Sequence, residues 1–309
     1  MSAIVHPDLQ PILRWMPTPS IRPWSIGLFR RLARASERRP LLDGVRVEAA
    51  GMSAASARVL RPAVGTPRAA VLWFHGGGLI LGRPEQDDAR CAELVRALGV
   101  AVVVPRYRLA PEHPFPAALD DGLAAWRWLH DHLDLPPGAV AVGGESAGGG
   151  LAAALAQRLR DLGGPQPACQ VLVYPMLDDR TAADRGLDAG GHALWNNRSN
   201  HTGWSAYLGG APGEPSVPPY AAPARRADLR GLPPAWIGVG TLDLFLAEDR
   251  AYARRLGDAG VPCTLDEVPG AVHGFLGLAP GASISRASTR AQLAFLRRHL
   301  SLAAPSVVP

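Results

Sequence analysis

Apolar and polar positions follow two rhythms along this chain, and the switch from one to the other marks the elements. VRVEAAGMSAASARVL (45–60) alternates around a glycine-containing turn, which predicts an antiparallel pair of strands. Short continuous apolar runs follow at 69–75, 100–107, 140–144, 169–175, 235–240 and 263–269. Most lack a polar alternating face, as expected of strands in a parallel sheet covered on both sides by helices. Between them the apolar spacing becomes helical, over 87–99, 117–133, 147–162, 246–259 and 285–300. This alternation predicts a doubly wound α/β protein, with a mostly parallel central sheet flanked by helices.

Two regions break the rhythm. Residues 1–42 look helical but are rich in proline and tryptophan, and 181–223 carry GHALWNNRSNHTGWSAYLGG followed by many prolines. Segments this long without strands are usually lids or functional loops. The expected organisation is therefore a core of 43–180 and 224–309, with 1–42 and 181–223 forming a small helical cap over the sheet's carboxyl edge.

Composition narrows the picture. The 309 residues include enough apolar side chains for a large core, and the charged fraction is ordinary. MSAIVHPDLQPILRW lacks the basic start and apolar run of a signal peptide, and no apolar stretch approaches the roughly 20 residues that span a bilayer. A soluble, cytoplasmic protein without stable membrane insertion is expected, as a monomer or homodimer. Cys91, Cys169 and Cys263 lie far apart with no CxxC, so they read as small hydrophobes rather than a disulfide framework or zinc site. The net charge is +5, but the basic residues are all arginine, scattered among acids, and no nucleic-acid partner is expected. The densest group, FRRLARASERRP (29–40), lies on an amphipathic segment with Ile26, Phe29 and Leu32. It reads as a surface helix with an arginine-rich solvent face, with a membrane-surface helix as the alternative.

Gly144-Glu145-Ser146-Ala147-Gly148 lies where a predicted strand gives way to a predicted helix. A serine there stands clear of the sheet edge on a sharp, strained turn, and glycines on either side let neighbouring backbone pass closely. The glycine run weakens the following helix by about 1 kcal/mol per Gly relative to Ala. That cost makes sense if the helix packs tightly under the turn. His75-Gly76-Gly77-Gly78 closes an earlier strand. Acyl transfer develops an oxyanion, and each backbone N–H aimed at it is worth about 2.7–4 kcal/mol. Gly77, Gly78 and Ala147 are the candidate donors, the last at a helix start whose dipole favours negative charge.

Such a serine needs a base and an acid to orient it. Of nine histidines, His273 in PGAVHGF follows the last predicted strand, where a loop at the carboxyl edge can reach Ser146. His113, His192 and His201 are further candidates, whereas His6, His130 and His132 read as surface or helix residues. Asp243 in VGTLDLF ends the preceding strand, and its place after the serine and before the histidine suits the acid. Helix N-capping is its alternative role.

Together these stretches resemble the bacterial hormone-sensitive-lipase-like esterases of the α/β-hydrolase fold. HGGG at His75, YRLAPEHPFPAALDD at 107–121, GESAG at Gly144, GTLDLFLAED at Gly240 and PGAVHGF at Pro269 stand in family order. The resemblance implies a triad of Ser146, Asp243 and His273, an oxyanion hole of Gly77, Gly78 and Ala147, and a cap. It implies a serine carboxylesterase that passes through an acyl-enzyme and needs no metal or cofactor. Its partner would be a small-molecule ester of short-to-medium acyl length. An amidase or peptidase of the same fold, and a non-catalytic small-ligand receptor that has lost the histidine, are the alternatives.

Two positions depart from the family pattern. Glu145 stands where Asp is more usual, and no proline follows Asp243. We expect Glu145 to brace the turn through an arginine or the cap. Arg108, Glu112 and His113 in the proline-rich YRLAPEHPFP read as a rigid structural loop. Trp195, Trp204, Tyr207 and Leu208, with Trp15 and Trp24, are candidate apolar walls for substrate. Holding the cap onto the core is their alternative role.

Overall fold

Residues 4–35, 42–52 and 56–302 are described in the computed structural model. The alternating segment folds as β1 (Val45–Gly51) and β2 (Ser56–Pro62), an antiparallel pair. Its tip at 53–55, and the 36–40 end of the arginine-rich stretch, lie outside the described residues. The six apolar runs become β3 (Ala70–Phe74), β4 (Ala101–Arg106), β5 (Val140–Glu145), β6 (Gln170–Val173), β7 (Ala235–Gly240) and β8 (Cys263–Val268). All eight join one sheet in the order β1-β2-β4-β3-β5-β6-β7-β8, parallel from β4 onward.

The helices divide between the two irregular segments and the sheet's two faces. The N-terminal segment contributes α1 (Gln10–Leu13) and α2 (Ile26–Ala35). The core helices are α3 (Asp88–Leu98), α4 (Ala117–His132) and α5 (Ala147–Leu162), and the second irregular segment holds α6 (Asp179–Ala183) and α7 (Asn197–Leu208). After β7 come α8 (Leu246–Asp258), α9 (Phe275–Leu278) and α10 (Ser283–His299). Along β3, Ala70, Leu72 and Phe74 face a core with α4, α5 and α8, while Val71 and Trp73 face one with α3 and α10. Two buried faces are why these strands read as continuous apolar runs.

The strand order places the chemistry. After β3 the chain adds β4 on one side and later returns to add β5 on the other, so β3 lies at the switch point where α/β sheets open a crevice. Phe74 pairs with Gly144 in the β3–β5 register. The HGGG stretch and the Glu145-Ser146 turn therefore emerge side by side.

The two irregular segments hold each other above that edge. The Ile21 amide donates to Ser199 Oγ at 2.9 Å, and Thr202 Oγ1 donates to the Ile21 carbonyl at 2.9 Å. Arg30 of α2 donates to the Ile80 and Ala110 carbonyls, both at 2.8 Å, and forks onto Glu112 at 2.7 and 2.9 Å. The proline-rich loop thus anchors the N-terminal helix, and Arg108 in it pairs with buried Asp121.

One expectation fails on α2. Ile26 is buried and Phe29 half-buried, but Leu32 faces solvent together with Leu28. At about 100° per residue, six positions turn Leu32 about 120° away from Ile26. Trp15 and Trp24 are likewise exposed, and neither lines the cavities described below. Among the described residues no helix is long and apolar enough to cross a membrane.

The close packing expected of the α5 glycines is visible at Gly148, where a Cβ would lie 2.1 Å from the Phe74 carbonyl oxygen. Helix propensity alone favours Ala there by about 1 kcal/mol. Overpacking against unyielding backbone costs about 3 kcal/mol. Gly148→Ala should therefore lower stability in urea unfolding by about 2 kcal/mol. Gly257→Ala, in α8 with nothing within 4 Å, should raise it slightly.

Candidate active site

Ser146 sits at φ 55° and ψ −121°, outside the regions ordinary residues occupy. Its N–H donates to the Val173 carbonyl at 2.9 Å. Its own carbonyl accepts from Gly150 and Met176 amides at 3.1 and 3.0 Å. Bonds to β6, to the loop beyond it and to α5 hold the turn in place. Across the switch point the next loop closes in: a Cβ on Gly76 would lie 3.2 Å from the Glu145 carbonyl oxygen.

His273, on the loop after β8, brings Nε2 to 2.9 Å from Ser146 Oγ and Nδ1 to 2.8 Å from Asp243 Oδ2. All three residues are buried. The carboxylate can only accept, so Nδ1 carries the proton and Nε2 presents its lone pair to the serine hydroxyl. Asp243 Oδ1 meanwhile accepts from the Phe245 amide at 2.9 Å. The N-cap position of α8 falls on Phe245, so Asp243 does not cap that helix; its second oxygen instead ties the turn that leads into it.

Gly77 and Gly78, at φ 129° and 61°, turn the HGGG loop through conformations that disfavour side chains. Among the described residues the amides of Gly77, Gly78 and Ala147 donate to nothing. The loop is braced from behind by His75. Its Nδ1 donates to the Gly76 carbonyl at 2.8 Å, and its ring stacks on Tyr107 at 4.1 Å. Tyr107 donates its hydroxyl to the His75 carbonyl at 2.8 Å. Burial pushes the His75 pKa down to about 4, so the ring is neutral near pH 7.

The expected apolar wall residues separate. Trp195 presses on the HGGG loop, with a ring carbon 2.1 Å from where a Gly78 Cβ would be. Trp204 and Tyr207 join Leu79, Ala147, Leu151 and Met176 around a gap of about 10 Å³. Leu208 is half-buried and lines neither this gap nor the larger cavity. That cavity, about 710 Å³, lies against Asp243, Leu244 and Val272, with His192 from one irregular segment and Leu13 and Met16 from the other. His192 is the further histidine placed near the pair, whereas His113 is exposed and His201 meets Ser205.

Glu145 has its arginine. Arg90 Nε of α3 lies 3.2 Å from Oε1, and Tyr174 donates its hydroxyl to Oε2 at 2.8 Å. Arg90 also donates to Thr289 and Gln292 of α10 and lies over the Trp73 ring. Asp87 accepts from Trp73 Nε1 at 2.9 Å. Burial and the nearby Glu145 charge push its carboxyl pKa well up. Burial, with Glu145 second, likewise raises the Tyr174 hydroxyl and keeps it a donor. Tyr174 sits at φ 36°, and the edge-to-face contact of its ring with His273 has centroids 4.8 Å apart. Neither Tyr174 nor Arg90 carries a motif, and nothing in the linear pattern marks them.

A chain of this topology, with this constellation at the carboxyl edge, matches the family described as the alpha/beta hydrolase fold over residues 71–277. The chain belongs to that family. It is 34% identical to carboxylesterase NlhH of Mycobacterium tuberculosis, over 96% of this chain and 98% of the relative. It is 38% identical to carboxylic ester hydrolase LipN of the same organism, over 79% of this chain and 67% of the relative. Among solved structures, bacterial heroin esterase superposes with a TM-score of 0.87 at 35% identity, covering 96% and 98% of the two chains. The expected fold and the hormone-sensitive-lipase-like resemblance are borne out.

Two expectations follow from the site's supports. Tyr174→Phe removes one hydrogen bond to Glu145 but keeps the ring on His273, so stability should fall by about 1–2 kcal/mol while most turnover survives. Tyr174→Ala frees the imidazole and should reduce kcat by up to about 100-fold, read on a chromogenic ester. For His75 the sign runs with acid. The unfolded chain takes up a proton near pH 6.5, while the folded ring refuses it down to about 4. The stability this neutral ring contributes is whole above pH 6.5 and lost toward pH 4, about 3 kcal/mol in all. Urea unfolding at pH 7 and pH 4 should show the gap between wild type and His75→Phe narrowing by that order.

Proposed function

We propose that the protein is a serine carboxylesterase using Ser146 as nucleophile, His273 as general base and then acid, and Asp243 to orient and stabilise the imidazole. The observation that carries this reading is the continuous line from Asp243 through His273 to Ser146, with bonds of 2.8 and 2.9 Å. Ser146 Oγ attacks the ester carbonyl as its proton passes to His273 Nε2. The tetrahedral oxyanion is taken by the unengaged amides of Gly77, Gly78 and Ala147. His273 returns the proton to the departing alcohol. Water, deprotonated by the same nitrogen, then attacks the acyl-serine carbonyl; the acid is released as His273 hands that proton back to the departing Ser146 Oγ.

Segments 1–42 and 181–223 act as the cap. The gap of about 10 Å³ beside Ala147 has room for about one water molecule and is closed by Met176, Trp204 and Tyr207. Whichever part of the ester turns that way must be small, which favours short-to-medium acyl groups. Three unpaired cysteines fit a reducing cytoplasm. A small ester is the partner, and a monomer or homodimer suffices for the chemistry.

Ser146→Ala should cut turnover of p-nitrophenyl acetate by about 10⁴-fold or more while leaving the unfolding transition in place. Turnover near wild type would remove the serine from the mechanism. In a p-nitrophenyl ester series the rate should peak between acetyl and octanoyl. A maximum at longer chains would overturn the size argument, and faster cleavage of the matching anilide would make the protein an amidase.

A further inference from the structure

The chain's positive charge is not evenly spread. Residues 9–36 contain Arg14, Arg22, Arg30, Arg31 and Arg34 and no acid, and the chain's net charge is +5, so the rest of the chain is balanced. Arg30 turns inward to Glu112. Arg14, Arg22 and Arg31 are exposed, and among the described residues none of them meets a carboxylate.

The same stretch holds most of the large apolar side chains that the described surface leaves bare. Trp24, Leu28 and Leu32 are 84%, 54% and 54% exposed, and Trp15 is 79% exposed. Trp24, Leu28 and Leu32 recur every four residues, so on α2 and the turn before it they form one ridge. This ridge is opposite in kind to the face carrying Ile26 and Arg30, which fastens α2 to the loop beyond the HGGG stretch. The helix is held from beneath and left apolar and cationic above.

A second copy of the chain fits this face poorly. A two-fold contact would set the patch against itself and bring its exposed arginines together without an acid to meet them. An anionic bilayer complements both properties. Tryptophan and leucine enter the headgroup boundary, and guanidiniums pair with phosphates.

We propose that the Trp24-Leu28-Leu32 ridge, with Arg22 and Arg31, docks the protein peripherally on an anionic phospholipid bilayer. The same N-terminal segment supplies Leu13 and Met16 to the cavity beside Asp243. Docking itself does not depend on the site's chemistry.

The test is co-sedimentation of the purified full-length protein with vesicles of phosphatidylglycerol and phosphatidylcholine, or of phosphatidylcholine alone. Wild type should partition onto the anionic vesicles at low salt about tenfold more than onto the neutral ones, and high salt should release it. The variants Trp24→Ser/Leu28→Ser/Leu32→Ser and Arg22→Gln/Arg31→Gln should each lose about tenfold of that partition. Both should keep the wild-type unfolding transition and hydrolysis of soluble p-nitrophenyl acetate. Ser146→Ala should still bind, so a failed esterase reading leaves this result readable. Absence of anionic-vesicle binding, or equal binding by both surface variants, would overturn the proposal. So would a dimer in sedimentation velocity that the triple variant dissociates, since that assigns the ridge to a second copy.

Discussion

A non-glycine residue stays at positive φ only where its surroundings leave it no cheaper conformation, and Ser146 is such a residue. Its amide is held by β6, its carbonyl by α5 and by the Met176 amide, and the crossing from β3 to β5 fills the space on its other side. The sheet order, the glycines beneath the turn and the depth of burial all serve to hold that one backbone angle. Tyr174 repeats the arrangement one strand over, at φ 36°, with its ring against His273. Strained positions on two adjacent strands meet across the same imidazole.

Charge behind the turn is arranged with similar economy. Glu145 faces the Arg90 guanidinium there at close range, while burial and the nearby Glu145 push the Asp87 carboxyl pKa well up. Arg90 reaches α10 as well as Glu145, so the turn is connected to that helix through a single guanidinium. A half-buried pair of this sort is poor evidence for net stability but good evidence for position.

Legibility in the sequence followed the demands of backbone and chemistry. Strands buried on two faces leave continuous apolar runs, and the helix limits were readable to within a few residues because glycines and prolines bound them. GESAG, HGGG and VHGF were readable because a strained turn and a crowded loop admit few residue types. Tyr174 and Arg90 were not readable, since each is an ordinary residue at an ordinary place and acquires its role only when β6 and α3 pack beside β5. The aromatic positions were readable as apolar and no further. Whether a tryptophan in a proline-rich segment ends buried, as Trp204 does, or bare, as Trp24 does, depends on what the segment lands on.

Asp243 accepts a backbone amide on one oxygen and an imidazole N–H on the other. A side-chain amide at that position would offer a single acceptor to two fixed donors. It could hold the turn or the ring, but its NH₂ would then face the remaining N–H. To restore a bond the ring would have to shift its proton to Nε2, which would turn a donor instead of a lone pair toward Ser146. The carboxylate is thus required twice over, and the local fold around Phe245 constrains residue 243 as tightly as any chemistry does.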